Sequence, residues 1–327
     1  MGIVAADDAT FLRDTAPFRR ELLAHCYRML GSVDEAEDMV QETYLRAWRS
    51  YGTFEGRSSV RTWLYRIATN VCLTALGHHS RRLLPSGLGG PEPDPEAFPE
   101  SAGPDVSWLQ PVPDALVSPN PADPAAIVAM REGLRLALIV SLQYLPGRQR
   151  AVLILRDVLA FPATEVAAML GTTTTAVKSS LQRARARLQE LSPAADDVSE
   201  LAEPQARALL DRYIAAFHDA DPAALQKLLC QDARLEAPPA RTWFDSCETC
   251  VPFMRARILG TPGAWRMLPT SANGQPAAAG YRRASDGTYR GYGVIVLTIT
   301  RAGISRIVSF GDPALLPKFG FPTALPT

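Results

Sequence analysis

The stretch that decides the fold lies at residues 171–188 and has the sequence GTTTTAVKSSLQRARARL. Within and just beyond it, apolar side chains recur with the period of an α-helix, at Val177, Leu181, Ala184, Leu188 and Leu191. Such a pattern predicts a helix that packs one face against neighbouring helices. The other faces carry threonine, serine, glutamine, lysine and arginine, so the first question is what this polar and basic surface contacts.

A helix-turn-helix is predicted by the residues that precede this helix. Pro162 is suited to open a short helix and Gly171 to end it, because proline is favoured at helix starts and glycine just beyond helix ends. The second helix of such a motif enters the major groove of DNA. We therefore expect DNA contacts from Thr173, Thr174, Thr175, Lys178, Ser179, Gln182 and Arg183. The alternative is a solvated amphipathic helix with a basic face.

Length and composition restrict the class of protein. The chain has 327 residues, which suggests two or three domains at roughly 100–200 residues each. Its hydrophobic fraction of 47% is typical of globular proteins, and its formal net charge of zero shifts attention to local basic clusters. The N-terminus lacks the features of a signal peptide, and the sequence contains no apolar run long enough for a membrane span. Five cysteines imply no disulfide framework, so we expect a cytoplasmic protein.

Residues 17–82 are predicted to be helical and to change charge along their length. Ser32 and Glu35 have the spacing of a capping box, which predicts that a helix starts here. We expect its buried side to carry Val40, Tyr44, Ala47, Trp48 and Tyr51. Its exposed side is acidic and would repel phosphate, with Asp34, Glu35, Glu37, Asp38 and Glu42. This helix is therefore predicted to bind a protein.

The segment that follows is basic and aromatic. It carries Arg57, Arg61, Arg66, Arg81 and Arg82 together with Trp63 and Tyr65. Basic side chains interleaved with aromatic rings suit single-stranded or locally melted DNA, because bases stack on the rings. For Trp63 the alternative is a place in the hydrophobic core.

Composition then changes abruptly. Residues 83–130 contain no lysine or arginine and many prolines, which predicts an extended acidic linker over residues 83–124. Its segment WLQPVPD, residues 108–114, is an exception, because an aromatic residue in a linker usually docks. Helical patterns return over residues 125–192, and a second linker is predicted over residues 193–204.

A third domain is predicted over residues 205–327. Helical patterns come first and strand patterns such as YGVIVLTIT and ISRIVSF follow, which predicts an α+β domain with an antiparallel sheet. Cys247 and Cys250 form a CxxC pair without a second pair or a nearby histidine, so a metal would lack half its ligands. Packing and a redox role stay open for this pair, and we expect no metal.

Two of these segments carry a family resemblance. GSVDEAEDMVQETYLRAWRSY with RSSVRTWLYRIATNVCL resembles region 2 of the bacterial extracytoplasmic-function (ECF) sigma factors. LPGRQRAVLILRDVLAFPATEVAAMLGTTTTAVKSSLQRARARL resembles their region 4. The resemblance implies two all-α domains, a region 2 helical bundle over residues 17–82 and a region 4 helix-turn-helix over residues 125–192. It also implies a subunit that directs RNA polymerase to promoters and has no catalytic residues or cofactor of its own.

The same resemblance implies roles for particular residues. The helix that docks on the clamp helices of the polymerase β′ subunit would contribute Asp38, Gln41, Glu42, Leu45 and Trp48. The −10 promoter element would be captured and melted by the loop over residues 51–58 and the helix over residues 61–70, with DNA contacts from Arg57, Arg61, Trp63, Arg66 and Asn70. The helix quoted first would recognise the −35 element, while its neighbour docks on the flap of the β subunit. The acidic linker would imitate nascent RNA, or serve only as a spacer.

The third domain is similar to a SnoaL-like, nuclear-transport-factor-type cone. WLQPVPD and RTWFDS resemble a subgroup of ECF sigma factors that carries such a domain. The candidate pocket residues are Tyr213, His218, Asp219, Asp232 and Trp243, with Arg234 and Phe244 nearby. We expect a regulatory domain, with a small ligand or a separate anti-sigma factor as candidate partner. The alternative is a DNA-associated isomerase, cyclase or hydratase, since this fold alone does not imply an activity.

Overall fold

The computed structural model describes residues 2–77, 81–118, 132–191 and 203–326, with side chains from residue 9 onward. They divide into two units: unit 1 contains Met1–Arg82 and Leu116–Pro193, and unit 2 contains Leu83–Ala115 and Ala194–Thr327. Within these described ranges, no helix has the length and apolar character needed to cross a membrane. The predicted linker 193–204 lies outside the described residues except for its last two.

Unit 1 begins with four helices: α1 (Gly2–Thr15), α2 (Arg19–Leu30), α3 (Val33–Tyr51) and α4 (Val60–Leu76). The Ser32 side chain accepts a hydrogen bond from the Glu35 amide at 3.2 Å, so the predicted start of α3 is confirmed. Helix α2 is buried on all sides from Leu22 to Leu30 and forms the centre of the bundle.

The buried side of α3 differs in part from the prediction. Val40 and Ala47 are buried, and Tyr44 and Tyr51 are half-buried. Trp48 was predicted to face the core, and this is wrong, because 51% of its surface is exposed. Its apolar character fitted the helical period, but the period does not distinguish a residue that faces the core from one that faces outward.

The second half of unit 1 contains the helix-turn-helix. After the short helix α5 (Asp114–Val117), the elements are α6 (Leu136–Gln143), α7 (Gly147–Leu153), a π-helical turn (Ile154–Val158), α8 (Ala163–Leu170) and α9 (Thr174–Leu191). Pro162 occupies the N-cap position of α8, and Gly171 ends the helix in the left-handed conformation with φ +60°. Val177 and Ala184 of α9 are buried, as the spacing predicts.

Two buried arginines connect the two halves of unit 1. The Arg28 Nε donates to the Gly133 carbonyl oxygen at 2.9 Å. The Arg150 guanidinium donates to the Met29 carbonyl and to the Gln143 side-chain oxygen, the latter at 2.8 Å. Burial lowers the pKa of both guanidinium groups to about 10, so they keep their charge at neutral pH. These charged donors hold the first four helices against the second half of unit 1.

Unit 2 contains helices α10 (Glu203–His218), α11 (Pro222–Leu228), α12 (Cys247–Arg257) and α13 (Leu315–Lys318). Its strands are β1 (Leu229–Glu236), β2 (Trp243–Phe244), β3 (Trp265–Ala272), β4 (Gln275–Arg283), β5 (Tyr289–Thr300), β6 (Gly303–Phe310) and β7 (Ala324–Leu325). The strand order is β2-β1-β6-β5-β4-β3, and β7 pairs with β5.

The sheet is mixed, and the prediction of an antiparallel sheet is wrong in this respect. Strands β1 and β6 run parallel, while the other pairs are antiparallel. The reason is the long connection between them, because α12 and the β3–β5 meander return the chain to the same end of the sheet. The helices and the curved sheet enclose the core of an α+β domain.

Residues 83–115, which we call the strap, are not an extended linker. Their prolines exclude long regular elements, as predicted, and the strap contains only one 3₁₀ turn (Pro85–Gly87) and the start of α5. Nevertheless the strap belongs to unit 2. Its side chains at Leu84, Leu109 and Val112 are buried. A segment expected to lie free is therefore part of the folded domain.

The first part of the strap is hydrogen-bonded to the segment RTWFDS, residues 241–246. The Glu92 amide donates to the Trp243 carbonyl at 2.8 Å, and the Trp243 Nε1 donates to the Gly89 carbonyl at 2.9 Å. The Arg241 amide donates to the Glu100 carbonyl at 2.7 Å. Residues 89–100 of the strap and the segment RTWFDS, which are far apart in the sequence, are thus held together by hydrogen bonds.

The last part of the strap docks on the turn between β3 and β4. Val112 and Asn273 exchange two hydrogen bonds, each 3.0 Å long. The Gly274 amide donates to the Asp114 carboxylate at 2.8 Å. Asn273 and Gly274 both have positive φ, which is the backbone conformation of a tight hairpin turn. The predicted docking of WLQPVPD therefore occurs through Leu109 and Val112, with Trp108 half-buried.

A buried carboxylate fixes the strap to the sheet. Glu236, at the end of β1, has no exposed surface. Its Oε1 accepts from Arg306 Nε of β6 at 2.8 Å, and its Oε2 accepts from the Ser86 amide of the strap at 2.9 Å. Both oxygens are satisfied, which a buried charge requires.

Replacement of Arg306 is expected to destabilise unit 2 strongly. Arg306→Met leaves the Glu236 carboxylate buried without its cation, which costs about 3–5 kcal/mol. Urea unfolding measures this loss. The matched control is Arg290→Met, which breaks an exposed ion pair with Asp286 of 3.2 Å and should cost less than about 1 kcal/mol. Equal losses in the two variants would contradict the assigned role of Arg306.

A buried histidine is expected to make unit 1 acid-sensitive. His25 Nε2 lies 2.9 Å from Thr69 Oγ1, and burial lowers the pKa of the imidazole to about 3. Below pH 6.5 the unfolded chain binds a proton that the folded chain excludes, so stability falls as the pH falls from 6.5 towards 3. Between pH 7 and pH 5 this amounts to about 2 kcal/mol.

The variant His25→Leu should remove that part of the acid sensitivity. Thr69 keeps a partner, because its hydroxyl also donates to the Tyr65 carbonyl at 2.7 Å. The measurement is the unfolding free energy of each protein at both pH values. The control is His218→Gln, which removes an exposed imidazole. An unchanged pH dependence in the His25 variant would refute this assignment.

Candidate functional site

An open cleft in the first half of unit 1 combines aromatic and basic side chains. It lies between the end of α3, the loop over residues 52–59 and the first half of α4, and has a volume of about 480 Å³. Trp63 is largely buried, and its ring lies 4.8 Å from Phe54 and 6.3 Å from Tyr51, measured between centroids. One surface of this aromatic cluster therefore lines the cleft.

Four of the five residues predicted for the −10 element line this cleft: Arg57, Trp63, Arg66 and Asn70. Arg61 does not. Its Nε donates to Glu21 at 2.8 Å, and its guanidinium lies 4.8 Å from the centre of the Phe161 ring. The charge of Arg61 is thus paired within unit 1. The prediction that Arg61 lines the cleft is wrong.

Seven residues that line the cleft were not named individually from the sequence, and Phe54 and Arg46 are two of them. Phe54 lies in the loop that the resemblance implicated, and its aromatic character was a usable signal. Arg46 lies on α3 and pairs with Glu42 at 2.6 Å. Its basic side chain gave no clear signal, because most of the charged residues of α3 are acidic.

Helix α4 also contacts α8 of the helix-turn-helix. The Thr62 hydroxyl donates to the Glu165 carboxylate at 3.0 Å, and the Asn70 Nδ2 lies 3.4 Å from the Met169 carbonyl. The rings of Tyr65 and Phe161 meet edge to face at 5.1 Å. Asn70 therefore lines the cleft and touches region 4 at the same time.

Helix α9 presents the predicted polar face. Lys178, Gln182 and Arg183 are exposed, and Thr174 and Ser179 are half-buried. The Thr173 hydroxyl accepts from the Ala176 amide at 3.2 Å and so caps the helix, while Thr175 is exposed. Arg185 forms a bidentate ion pair with Asp157, with N–O distances of 2.7 and 2.8 Å, which fixes α9 to the π-helical turn.

The outer face of α3 combines acidic and apolar side chains. Leu45 and Trp48 are each 51% exposed. Asp38 and Gln41 are exposed on the same helix, and Glu42 is half-buried beside Arg46. Exposed large apolar side chains next to acidic ones are typical of a protein-binding surface.

Unit 2 contains a cavity of about 140 Å³ among α10, α12 and the sheet. Tyr213 lines it, as predicted. The other candidates do not line it, and this is a correction. His218 and Asp219 are exposed at the end of α10 and bond to each other at 3.0 Å, and Asp232 is exposed on β1. Trp243 is buried against the strap instead.

The remaining residues suggested for this pocket also have other contacts. Arg234 lies over the Trp243 ring at 5.9 Å, and Phe244 packs on Phe253 at 4.4 Å in the core. Most of the residues that line the cavity are apolar, among them Phe217, Trp265 and Ile295. Residue chemistry alone could not identify them.

The cysteines of α12 fit the packing interpretation. Burial raises the pKa of the Cys247 thiol, and burial raises that of Cys250 to about 12. The Cys250 thiol donates to the Ala233 carbonyl at 3.4 Å. Neither thiol is activated as a thiolate at neutral pH, which argues against a reactive redox pair.

The fold defines a protein of two helical regions, the second with a helix-turn-helix, and an added α+β domain. Residues 16–82 match the family Sigma-70 region 2, and residues 135–188 match Sigma-70, region 4. The chain is 50% identical over 317 residues to the ECF RNA polymerase sigma factor SigG of Mycobacterium tuberculosis, a match that covers 96% of this chain and 85% of SigG. The chain belongs to the ECF RNA polymerase sigma factors.

A second relative supports the architecture. SigJ of Mycobacterium tuberculosis is 30% identical over 215 residues, which is 65% of this chain and 60% of SigJ. The crystal structure of SigJ is similar with a TM-score of 0.58 at 24% identity, and covers 94% of this chain and 97% of that one. The predictions of family and fold class are confirmed. As a sigma factor the chain is a transcription initiation factor and not an enzyme.

Proposed function

We propose that this chain docks on core RNA polymerase through α3, holds the −10 element in the cleft beside α4 and recognises the −35 element through α9. The observation that carries the proposal is the cleft, where Phe54 and Trp63 lie beside Arg57 and Arg66. Aromatic stacking stabilises an unpaired base by about 1–3 kcal/mol, and the arginines supply phosphate contacts. A base leaves the duplex only if a pocket compensates for lost stacking.

The contacts between α4 and α8 add a condition to this function. Promoter DNA in the cleft has to replace the Asn70 contact to Met169. Engagement of the −10 element and loss of this one contact between α4 and α8 are then coupled. Because the contact between α4 and α8 has to be broken first, the free energy of DNA binding is reduced by the free energy of that contact.

For the third domain we propose a regulatory role. The strap forms most of the chain segment between regions 2 and 4, and its residues 86, 92, 100 and 112–114 are hydrogen-bonded to the rest of unit 2. Unit 2 therefore controls the connection between the two DNA-binding regions. A separate anti-sigma partner and a cytoplasmic location stay predictions. The rival enzyme proposal loses its main support, since the acid and base candidates lie outside the cavity.

Loss of the apolar surface on α3 is expected to weaken polymerase binding. The double variant Leu45→Ala, Trp48→Ala removes two large side chains that a partner would bury, at about 2 kcal/mol or more for such an anchor. Affinity for core polymerase, measured by fluorescence anisotropy, should fall at least tenfold. Leu12→Ala is the matched control, because Leu12 is 58% exposed on α1. An equal effect of both changes would contradict the proposed docking face.

The polar face of α9 is tested through the salt dependence of promoter binding. Lys178→Ala and Arg183→Ala should each weaken binding of the holoenzyme to a −35 duplex. For a residue that neutralises a phosphate, the slope of log K against log salt concentration falls by about 1. Promoter-specific transcripts from core polymerase should decrease in parallel.

The control for this pair is Arg301→Ala, which removes an exposed arginine of unit 2. Its slope should equal that of the unmodified protein. If the two α9 variants also keep the original slope, α9 is not the DNA-binding helix. If core polymerase with the unmodified chain makes no promoter-specific transcript, the whole proposal fails.

A further inference from the structure

The cavity of unit 2 has the size of a small apolar molecule. Its volume is about 140 Å³. An engineered apolar cavity of about 150 Å³ stays dry and binds benzene. Its walls are mainly hydrophobic. They include Phe217 of α10, Met254 of α12, Trp265 of β3 and Ile307 of β6. A single ring, or an aliphatic chain of the same volume, fits this space.

The charges at the cavity are of one sign. Arg257 of α12 and Arg282 of β4 line it, and no carboxylate does so among the described residues. Both arginines are exposed, whereas the other lining residues are buried or half-buried, which places the arginines at the solvent-facing rim. Within the described part of the chain, neither forms an ion pair with an acidic side chain. Two uncompensated guanidinium groups at an apolar opening favour an anion.

A few polar groups inside the cavity add orientation. Tyr292 and Ser309 share a hydrogen bond of 3.2 Å between their hydroxyl oxygens, and Tyr213 lines the same space. Small-molecule sites are generally apolar with a small number of such groups. The arrangement thus combines an apolar interior, a polar patch and a cationic rim.

We propose that this cavity binds a small apolar carboxylate, with the ring or chain inside and the carboxylate at the rim formed by Arg257 and Arg282. A neutral molecule of the same shape would gain the apolar contacts and lose the charge-assisted hydrogen bonds. An amine of the same shape would meet repulsion from both guanidinium groups. The site therefore selects by charge as well as by size.

Arg257 connects the cavity to the strap. Its Nη2 donates to the Glu96 carbonyl at 2.6 Å, and its guanidinium lies 3.8 Å from the centre of the Phe98 ring. Phe98 is otherwise 75% exposed. A ligand carboxylate pairs with the guanidinium through two parallel hydrogen bonds, which are stronger than one bond to a carbonyl. Binding thereby takes Arg257 from the strap and loosens residues 92–100.

This coupling rests on the proposed regulatory role of unit 2, whereas the binding site itself does not. The binding experiments use the full chain without polymerase or DNA, so their outcome is independent of whether the chain starts transcription. Failure of the transcription test and failure of the ligand site are therefore distinguishable.

The experiment compares three molecules of nearly equal size. Benzoate, benzyl alcohol and benzylammonium are titrated into the full chain by calorimetry at low salt. We expect benzoate to bind at least tenfold more tightly than benzyl alcohol, and benzylammonium to bind most weakly. Equal affinities for all three, or no binding of benzoate up to 10 mM (about 2.7 kcal/mol of binding free energy), would overturn the proposal.

The arginine variants locate the carboxylate. Arg257→Met and Arg282→Met should each weaken benzoate binding at least fivefold and leave benzyl alcohol binding within twofold. Arg255→Met is the matched control, because Arg255 is exposed on the same helix and does not line the cavity. A loss of benzoate binding in the control equal to that in Arg257→Met would overturn the assignment.

Hydrogen exchange measures the coupling to the strap. With benzoate bound, backbone amides over residues 92–100 should exchange at least threefold faster, while those of Val112 and Asn273 keep their rates. Unchanged exchange over residues 92–100 with benzoate bound would refute the coupling and leave the binding site to be judged on the titrations.

Discussion

The charge of Glu236 is the constraint on which unit 2 depends. A carboxylate without exposed surface is stable only while Arg306 and the Ser86 amide satisfy both of its oxygens. One of these partners lies on the strand parallel to β1, and the other lies at the start of the strap. The sheet and the strap are therefore held by the same buried group. If β6 or the strap moves away, the Glu236 carboxylate loses a hydrogen-bond donor in the core.

Local features of the fold could be predicted from the sequence, and distant contacts could not. The start of α3 at Ser32, the end of α8 at Gly171 and the buried face of α9 depend on residues three or four positions apart. The strap is different, because its prolines exclude regular structure without indicating that Ser86 bonds to a residue 150 positions later. The parallel pairing of β1 and β6 likewise depends on the path of the whole domain.

The candidate sites show the same division. Arg57, Trp63, Arg66 and Asn70 are neighbours because they follow one loop and one face of α4, so their grouping was predictable. Arg61 follows the same helix, but its partner Glu21 comes from α2, and that contact carries no signal in the sequence. In unit 2 the pocket was predicted mainly from titratable residues, whereas most of the side chains that line the cavity are apolar.

The docked strap also sets the length of a tether. A free segment of about thirty residues could extend to about 100 Å, whereas the strap is held to unit 2 near both of its ends. Under the regulatory role that we propose, a strap bound in this way would leave less slack between regions 2 and 4 than a free segment and so raise the effective concentration of one region near the other. Release would lower that concentration and weaken the contact between α4 and α8 without any change in their own side chains.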